Sequence, residues 1–189
     1  KLGYMALMRN LRNIVQANVS ITHMKKVCMY LSDETAVAHS KQLPYRFLAA
    51  YREIKELKSE YVSMVLNALE DAVLISSTKI KGFDESTSIL IACDVSKSMQ
   101  VPVSLKSKVL LYDIGLVLGI MMQSQSKRVV TGMFGSTWKV INMPNCGVLS
   151  NVEQYYKREG EVGYATNGYL VIEDLIKRGK KMDKIMLFT

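Results

Sequence analysis

The sequence predicts an α + α/β protein: a helical array over residues 1–80, followed by an open α/β sheet over residues 81–189. Three observations carry this. Apolar residues recur at three- and four-residue spacing through the first half. A continuous apolar run, "SILIACD" (88–94), then appears, of the kind buried on both faces of a parallel sheet. Beyond it, strand-like and helix-like runs alternate, as they do in an open sheet flanked by helices.

The elements follow in order. "YMALMRNLRNIV" places Met5, Met8, Leu11 and Val15 on one stripe and Arg9, Arg12, Asn13 and Gln16 on another. "HMKKVCMYL" is a second, shorter helical pattern. In "SDETAVAHS", Ser32 stands as an N-cap with Glu34 and Thr35 behind it. Pro44 suits the first turn of a helix through "YRFLAAYREIKEL". A longer helix runs through "YVSMVLNALEDAVLIS". Short helices joined by short polar turns predict an antiparallel array, and the 12 methionines fill its irregular core.

The period changes at "STKIKGFDESTS", a linker containing Gly82 and Asp84. After the strand at 88–94 a helix is expected from about Lys106 to Gln123. "RVVTGMF" and "WKVINM" read as a hairpin about the turn "GST", with Trp138 packing across the strand pair. "NVEQYYKRE" is helical. "TNGYLVIEDLIKRG" is a helix capped by Thr166 or Asn167 and stopped at Gly179. "DKIMLFT" is a last apolar strand. A compact α/β domain is expected to continue past Thr189, and a chain that opens on Lys1 reads as a fragment.

Composition narrows the function classes. Among the 189 residues, 49% are hydrophobic and 22% charged, ordinary for a globular protein. No apolar run reaches the roughly 20 residues that span a bilayer, and no signal-peptide pattern is seen. Cys28, Cys93 and Cys146 have no metal-type spacing and read as reduced structural thiols of a cytoplasmic protein. The net charge of +8 divides evenly, with 11 basic and 7 acidic residues in 1–80 and 14 and 10 in 81–189. That balance permits a polyanionic partner without demanding one.

The chemistry gathers where the first strand ends. Open α/β sheets bind ligands at the carboxyl ends of their strands. Asp94 closes the strand, Ser96 and Ser98 follow in the loop, Thr166 opens a later helix, and Thr189 ends the last strand. Convergence on one rim would give an oxygen-only donor set, suited to Mg²⁺. The alternative is a helix-capping loop, since Ser and Asp are also preferred caps. No P-loop is present, and the only histidines, His23 and His39, lie in the helical half, so a binding protein rather than an enzyme is expected.

"DVSKSM" resembles the D-x-S-x-S loop of von Willebrand factor A domains, the metal-ion-dependent adhesion site. "MALMRNLRNI" and "LPYRFLAAYREI" resemble the last helical repeats of the TROVE module, which precedes such an A domain in the Ro autoantigen family. The order of helical repeats, linker, "ACDVSKSM" and "YATNGY" is the same. The resemblance implies C-terminal HEAT-like TROVE repeats over 1–80 and an incomplete, Rossmann-like A domain over 81–189. Carried over, Asp94, Ser96 and Ser98 form the first metal loop and Thr166 the second-loop ligand. The aspartate that the family's third loop usually supplies is absent from this sequence, which ends at Thr189.

Family membership further implies binding of small noncoding Y RNAs on a basic outer surface and of misfolded RNA ends in a central hole. It also implies, in bacterial members, an exoribonuclease tethered through the RNA. The candidate RNA-binding residues are Arg9, Arg12, Asn13 and Gln16 on one helix face, Lys25 and Lys26 after His23, and Arg46 and Arg52 on the next long helix. The plain alternative for each is a solvated helix face, or, for Arg46, an internal ion pair. Two other functions compete: a metal-dependent protein-binding A module, whose partner supplies a carboxylate to the metal, and a metal-dependent phosphohydrolase.

Overall fold

A computed structural model describes residues 2–83, 85–105, 107–144 and 147–189. Asp84, Lys106 and Cys146, assigned above to the linker, a helix start and the thiols, lie outside the described residues. The chain divides into two compact units, Lys1–Lys79 and Ile80–Thr189.

The first unit is helical throughout: α1 Tyr4–Gln16, α2 Ile21–Leu31, α3 Glu34–Ser40, α4 Pro44–Lys55 and α5 Val62–Ser77. α5 packs against α2, α3 and α4, and α1 against α4. Phe47, Leu48, Leu69 and Val73 from α4 and α5 are fully buried there, each contributing roughly 1.5–3 kcal/mol of transfer free energy. Pro44 occupies the first turn of α4, as expected.

Three expectations change in this unit. The buried stripe of α1 is Tyr4, Leu7, Met8, Leu11 and Val15, and Met5 is exposed. Tyr4 takes its place because its hydroxyl donates to the buried Leu31 carbonyl at 2.6 Å, and Met5 lies about 100° around the helix from it. Met29 is also exposed, at 72%, so the methionines are not uniformly core. The cap of α3 is Asp33, whose Oδ1 accepts the Ala36 N–H at 2.7 Å. Ser32 instead ends α2, its hydroxyl donating back to the Cys28 carbonyl.

The second unit is a four-stranded sheet: β1 Ser88–Asp94, β2 Arg128–Phe134, β3 Trp138–Val140 and β4 Lys184–Phe188, in the order β3-β2-β1-β4. β1 runs parallel to both neighbours, and β3 is antiparallel to β2. β1 has no free edge, helices cover both of its faces, and Ile89 to Asp94 are all buried. α6 (Leu111–Gln123) covers one face. Gly119 and Gly115 allow its close approach: a Cβ at either would stand 2.7 Å from Ile91 or Phe188. α8 (Tyr169–Lys177) covers the other, where Val171 and Leu175 pack on Leu90, Ala92 and Phe134. α7 (Leu149–Tyr156) packs on α6.

Trp138 packs across the strand pair, its ring so close that a Cβ at Gly132 would meet it at 2.4 Å. Its Nε1 donates to Asp174 at 3.3 Å. β3 is shorter than expected and stops at Val140. α6 begins at Leu111 rather than near Lys106, because an antiparallel bridge to Pro102 holds Leu110 just ahead of the helix. Neither Thr166 nor Asn167 caps α8: Gly168 is the N-cap, and the Asn167 amide donates to the Ser136 carbonyl at 3.1 Å instead.

Candidate functional site

In the sheet unit, the strand ends bring four of the expected oxygen-bearing residues together. Asp94 and Ser96 are each only 1% exposed. The Ser96 N–H donates to Asp94 Oδ1 at 2.7 Å, which turns the chain sharply at the strand end. The Ser96 and Ser98 hydroxyls stand 3.1 Å apart. The Thr189 hydroxyl, carried in by β4, donates to Asp94 Oδ2 at 2.8 Å. Both carboxylate oxygens are therefore engaged, and each keeps lone-pair capacity for a further partner.

The loop bearing Thr166 is fastened beside this cluster. The Lys97 N–H donates to the Tyr164 carbonyl at 3.1 Å, and the Asn167 N–H to the Gly135 carbonyl at 3.0 Å. Gly135 matters here because its backbone presses on the loop: a Cβ would lie 2.0 Å from the Gly163 carbonyl oxygen. Gly163 itself adopts φ 70°, in the positive-φ range that favours glycine. Thr166 is exposed, and among the described residues its hydroxyl bonds none of Asp94, Ser96 or Ser98. Sequence reasoning missed the close approach of Gly135 to Gly163 and the clasp by Ser136 and Asn167; the signal available was the pair of small-residue turns "FGST" and "GYATNG".

Nearby charges are mostly structural. Glu161 accepts from Arg158 at 2.8 Å and from Lys139 at 2.6 Å. Hydrogen bonds from Arg158 and then Lys139 hold its carboxyl down at about 2. Burial raises the Cys93 thiol to about 12, helped by the charge of Asp94, so the thiol next to the motif is protonated and inert. Among the described residues, no group of three or more His, Cys, Asp and Glu side chains gathers to hold a metal. Asp94 is the one carboxylate of the set.

In the helical unit, Arg9, Arg12, Asn13 and Gln16 are exposed on α1, and Lys25 and Lys26 on α2. Arg12 is held in an ion pair with Glu53 at 3.1 Å. Arg46 stands over the Tyr45 ring, 5.9 Å from its centroid. The positive charge is less even than the two halves suggest. Residues 1–32 contain Lys1, Arg9, Arg12, Lys25 and Lys26 and no carboxylate; the first acid is Asp33. The basic excess of the helical unit thus belongs to α1 and α2 and the residues around them.

A family model for the TROVE domain matches residues 1–108. The chain belongs to the TROVE domain family. The matched stretch runs through all five helices of the first unit, β1 and the Asp94–Ser98 loop. Telomerase protein component 1 of Mus musculus is 40% identical over 60 residues, which are 32% of this chain and 2% of that protein. Its counterpart in Rattus norvegicus is 38% identical over 60 residues, with the same shares. This TROVE chain therefore spans about 2% of the length of the curated relatives it matches. The crystal structure of the Ro (RSR) protein of Deinococcus radiodurans aligns with a TM-score of 0.66 and 19% identity, covering 98% of this chain and 39% of that one. At that identity the likeness is one of fold, and the expected class, helices followed by an open α/β sheet, is the class found.

Proposed function

We propose that this chain is the RNA-binding end of a Ro-like protein that holds small noncoding Y RNAs and misfolded RNA ends, as a scaffold in RNA quality control or processing. The observation that carries the reading is the stretch of residues 1–32, α1 and α2 among them, with five basic residues and no acidic one, in a TROVE family member. Polyanion binding needs cations without competing carboxylates, because each neutralised phosphate releases a counterion. Lys25 and Lys26 meet that need directly; Arg12 meets it while shared with Glu53, and Arg9 beside a depression that Asp33 also lines. In this reading an exoribonuclease is a partner held through the RNA, the protein is cytoplasmic, and it performs no catalysis of its own.

The test is binding of a structured RNA to the full chain over a range of salt. Wild type should bind with a steep salt dependence. Arg9→Ala combined with Lys25→Ala and Lys26→Ala should flatten the slope by roughly two to three units, since each phosphate left unneutralised removes about 0.7–0.9. Absent or salt-independent binding refutes the proposal.

A second reading has its own observation. Two adjacent oxygens of an Mg²⁺ octahedron, each about 2.1 Å from the metal, stand about 3 Å apart, and the Ser96 and Ser98 hydroxyls are 3.1 Å apart. Those hydroxyls would hold the ion, Asp94 would offset its charge from the strand end, and Thr166 would join from the neighbouring loop. The ion would supply an open coordination position for a carboxylate of a protein partner, as in a von Willebrand A module. Calorimetric titration with Mg²⁺ and Mn²⁺ checks this: binding should vanish in Ser98→Ala, and heat signals equal in wild type and variant refute it.

A further inference from the structure

The turn between β2 and β3 grips the loop that carries Thr166 at both of that threonine's neighbours. The Ser136 hydroxyl accepts the Ala165 N–H at 3.3 Å. The Ser136 carbonyl accepts the Asn167 side-chain amide at 3.1 Å, and the Gly135 carbonyl takes the Asn167 N–H at 3.0 Å. Ahead of the loop, the Thr137 N–H donates to the Val162 carbonyl at 2.9 Å, and Lys139 of β3 holds Glu161. From the other side, the Lys97 N–H donates to the Tyr164 carbonyl at 3.1 Å. The backbone around Thr166 is thus fixed from two directions, while Thr166 itself is exposed.

We propose that Ser136 is a positioning residue for a divalent cation at the rim: it sets where Thr166 stands relative to the Ser96 and Ser98 hydroxyls. The inference rests on the metal-site reading above and adds to it a residue outside the three loops that supply ligands. A ligand hydroxyl on an unordered loop loses affinity, because the loop must be ordered when the ion arrives. A loop ordered beforehand avoids that cost. Partners one step removed from a metal act in this way, orienting the ligand without touching the ion. The fit leaves the turn little freedom. A Cβ at Gly163 would meet the Ser136 Oγ at 2.6 Å, and one at Gly135 would meet the Gly163 carbonyl oxygen at 2.0 Å. Turn and loop are therefore packed backbone to backbone. Closing the surface would need no bond at Ala165, which is itself exposed; holding the hydroxyl residue beside it does.

The experiment is calorimetric titration of the full chain with Mg²⁺ and with Mn²⁺, run as a double-mutant cycle over Ser136→Ala and Thr166→Ala. Each single variant should weaken binding about tenfold. The double variant should bind no more weakly than Thr166→Ala alone, since Ser136 acts only through Thr166. Ser136→Thr keeps a hydroxyl and should recover most of the affinity. Asn167→Ala loosens the opposite flank and should behave as Ser136→Ala does; it decides the matter if Ser136→Ala is unfolded, which Trp138 fluorescence reports. Effects that add in the double variant, or an affinity unchanged in Ser136→Ala, overturn the positioning role and leave the metal site standing. Wild type that takes up neither ion removes the metal-site reading and this inference with it.

Discussion

Gly135→Ala is the sharpest perturbation the rim allows. The new methyl would stand 2.0 Å from the Gly163 carbonyl oxygen, 2.9 Å from its carbonyl carbon and 3.0 Å from the Val162 oxygen. All three are backbone atoms, so no side chain can swing away. The 162–167 segment must move, and with it the Thr137 N–H bond to Val162 at 2.9 Å and the Asn167 N–H bond to Gly135 at 3.0 Å. Overpacking of this kind costs about 1–3 kcal/mol, and two backbone hydrogen bonds add about 1 kcal/mol each. At about 4 °C per kcal/mol, the sheet unit should melt some 10–20 °C lower. The single tryptophan, Trp138, lies in that unit, so its fluorescence follows this melting without the helices. Gly160→Ala is the control, since its Cβ would meet only the Tyr164 hydroxyl at an ordinary 3.5 Å. A Gly135→Ala melting temperature within about 2 °C of wild type, or an equal drop for Gly160→Ala, refutes the reasoning.

Other perturbations have equally definite outcomes. Tyr4→Phe strips the buried Leu31 carbonyl of its partner at 2.6 Å and should cost the helical unit about 1–3 kcal/mol in urea unfolding followed by far-UV circular dichroism. Asp33→Ala removes the α3 cap and should cost about 1 kcal/mol in the same assay, whereas Ser32→Ala should cost less. Glu161 has a folded-state pKa held down at about 2, so its contribution to stability is complete above the ordinary carboxylate range and is lost as pH falls toward 2. Acid titration of Glu161→Gln should therefore lack that part of the wild-type decline. Burial raises the Cys28 and Cys93 thiols, so a thiol-alkylating reagent should label neither in the native protein and both after unfolding.

How far the sequence could be read depended on whether one local rule acted alone. β1 was legible because a run with no polar residue between Ile89 and Cys93 fits a strand buried on both faces, and it pairs on both edges. Pro44 was legible because a fixed φ and a missing N–H suit the first turn of a helix regardless of context. The cap of α3 was not, because Ser32 and Asp33 both qualify, and the choice turned on how far α2 runs. Asn167 was misread for a tertiary reason: its amide answers to Ser136, 31 residues away, instead of its own helix. At the rim, Asp94, Ser96 and Ser98 could be grouped by spacing. The bond from Thr189 could only be read as a meeting at one edge, since it depends on β4 lying beside β1.

That pairing also sets an order of events. β1 takes its partners from strands that begin at Arg128 and Lys184, and the Asp94–Thr189 and Ser88–Asp183 bonds each join residues 95 apart. Pairings this distant in sequence close slowly, whereas the helices of the first unit form from near neighbours. During synthesis, the helical unit can be complete while β1 is still an unpaired apolar strand, open to chaperones and to other chains. At the rim the contacts among Asp94, Ser96 and Ser98 are local, whereas the bond from Thr189 to Asp94 forms only when β4 docks beside β1, so that bond reports the pairing of these two strands.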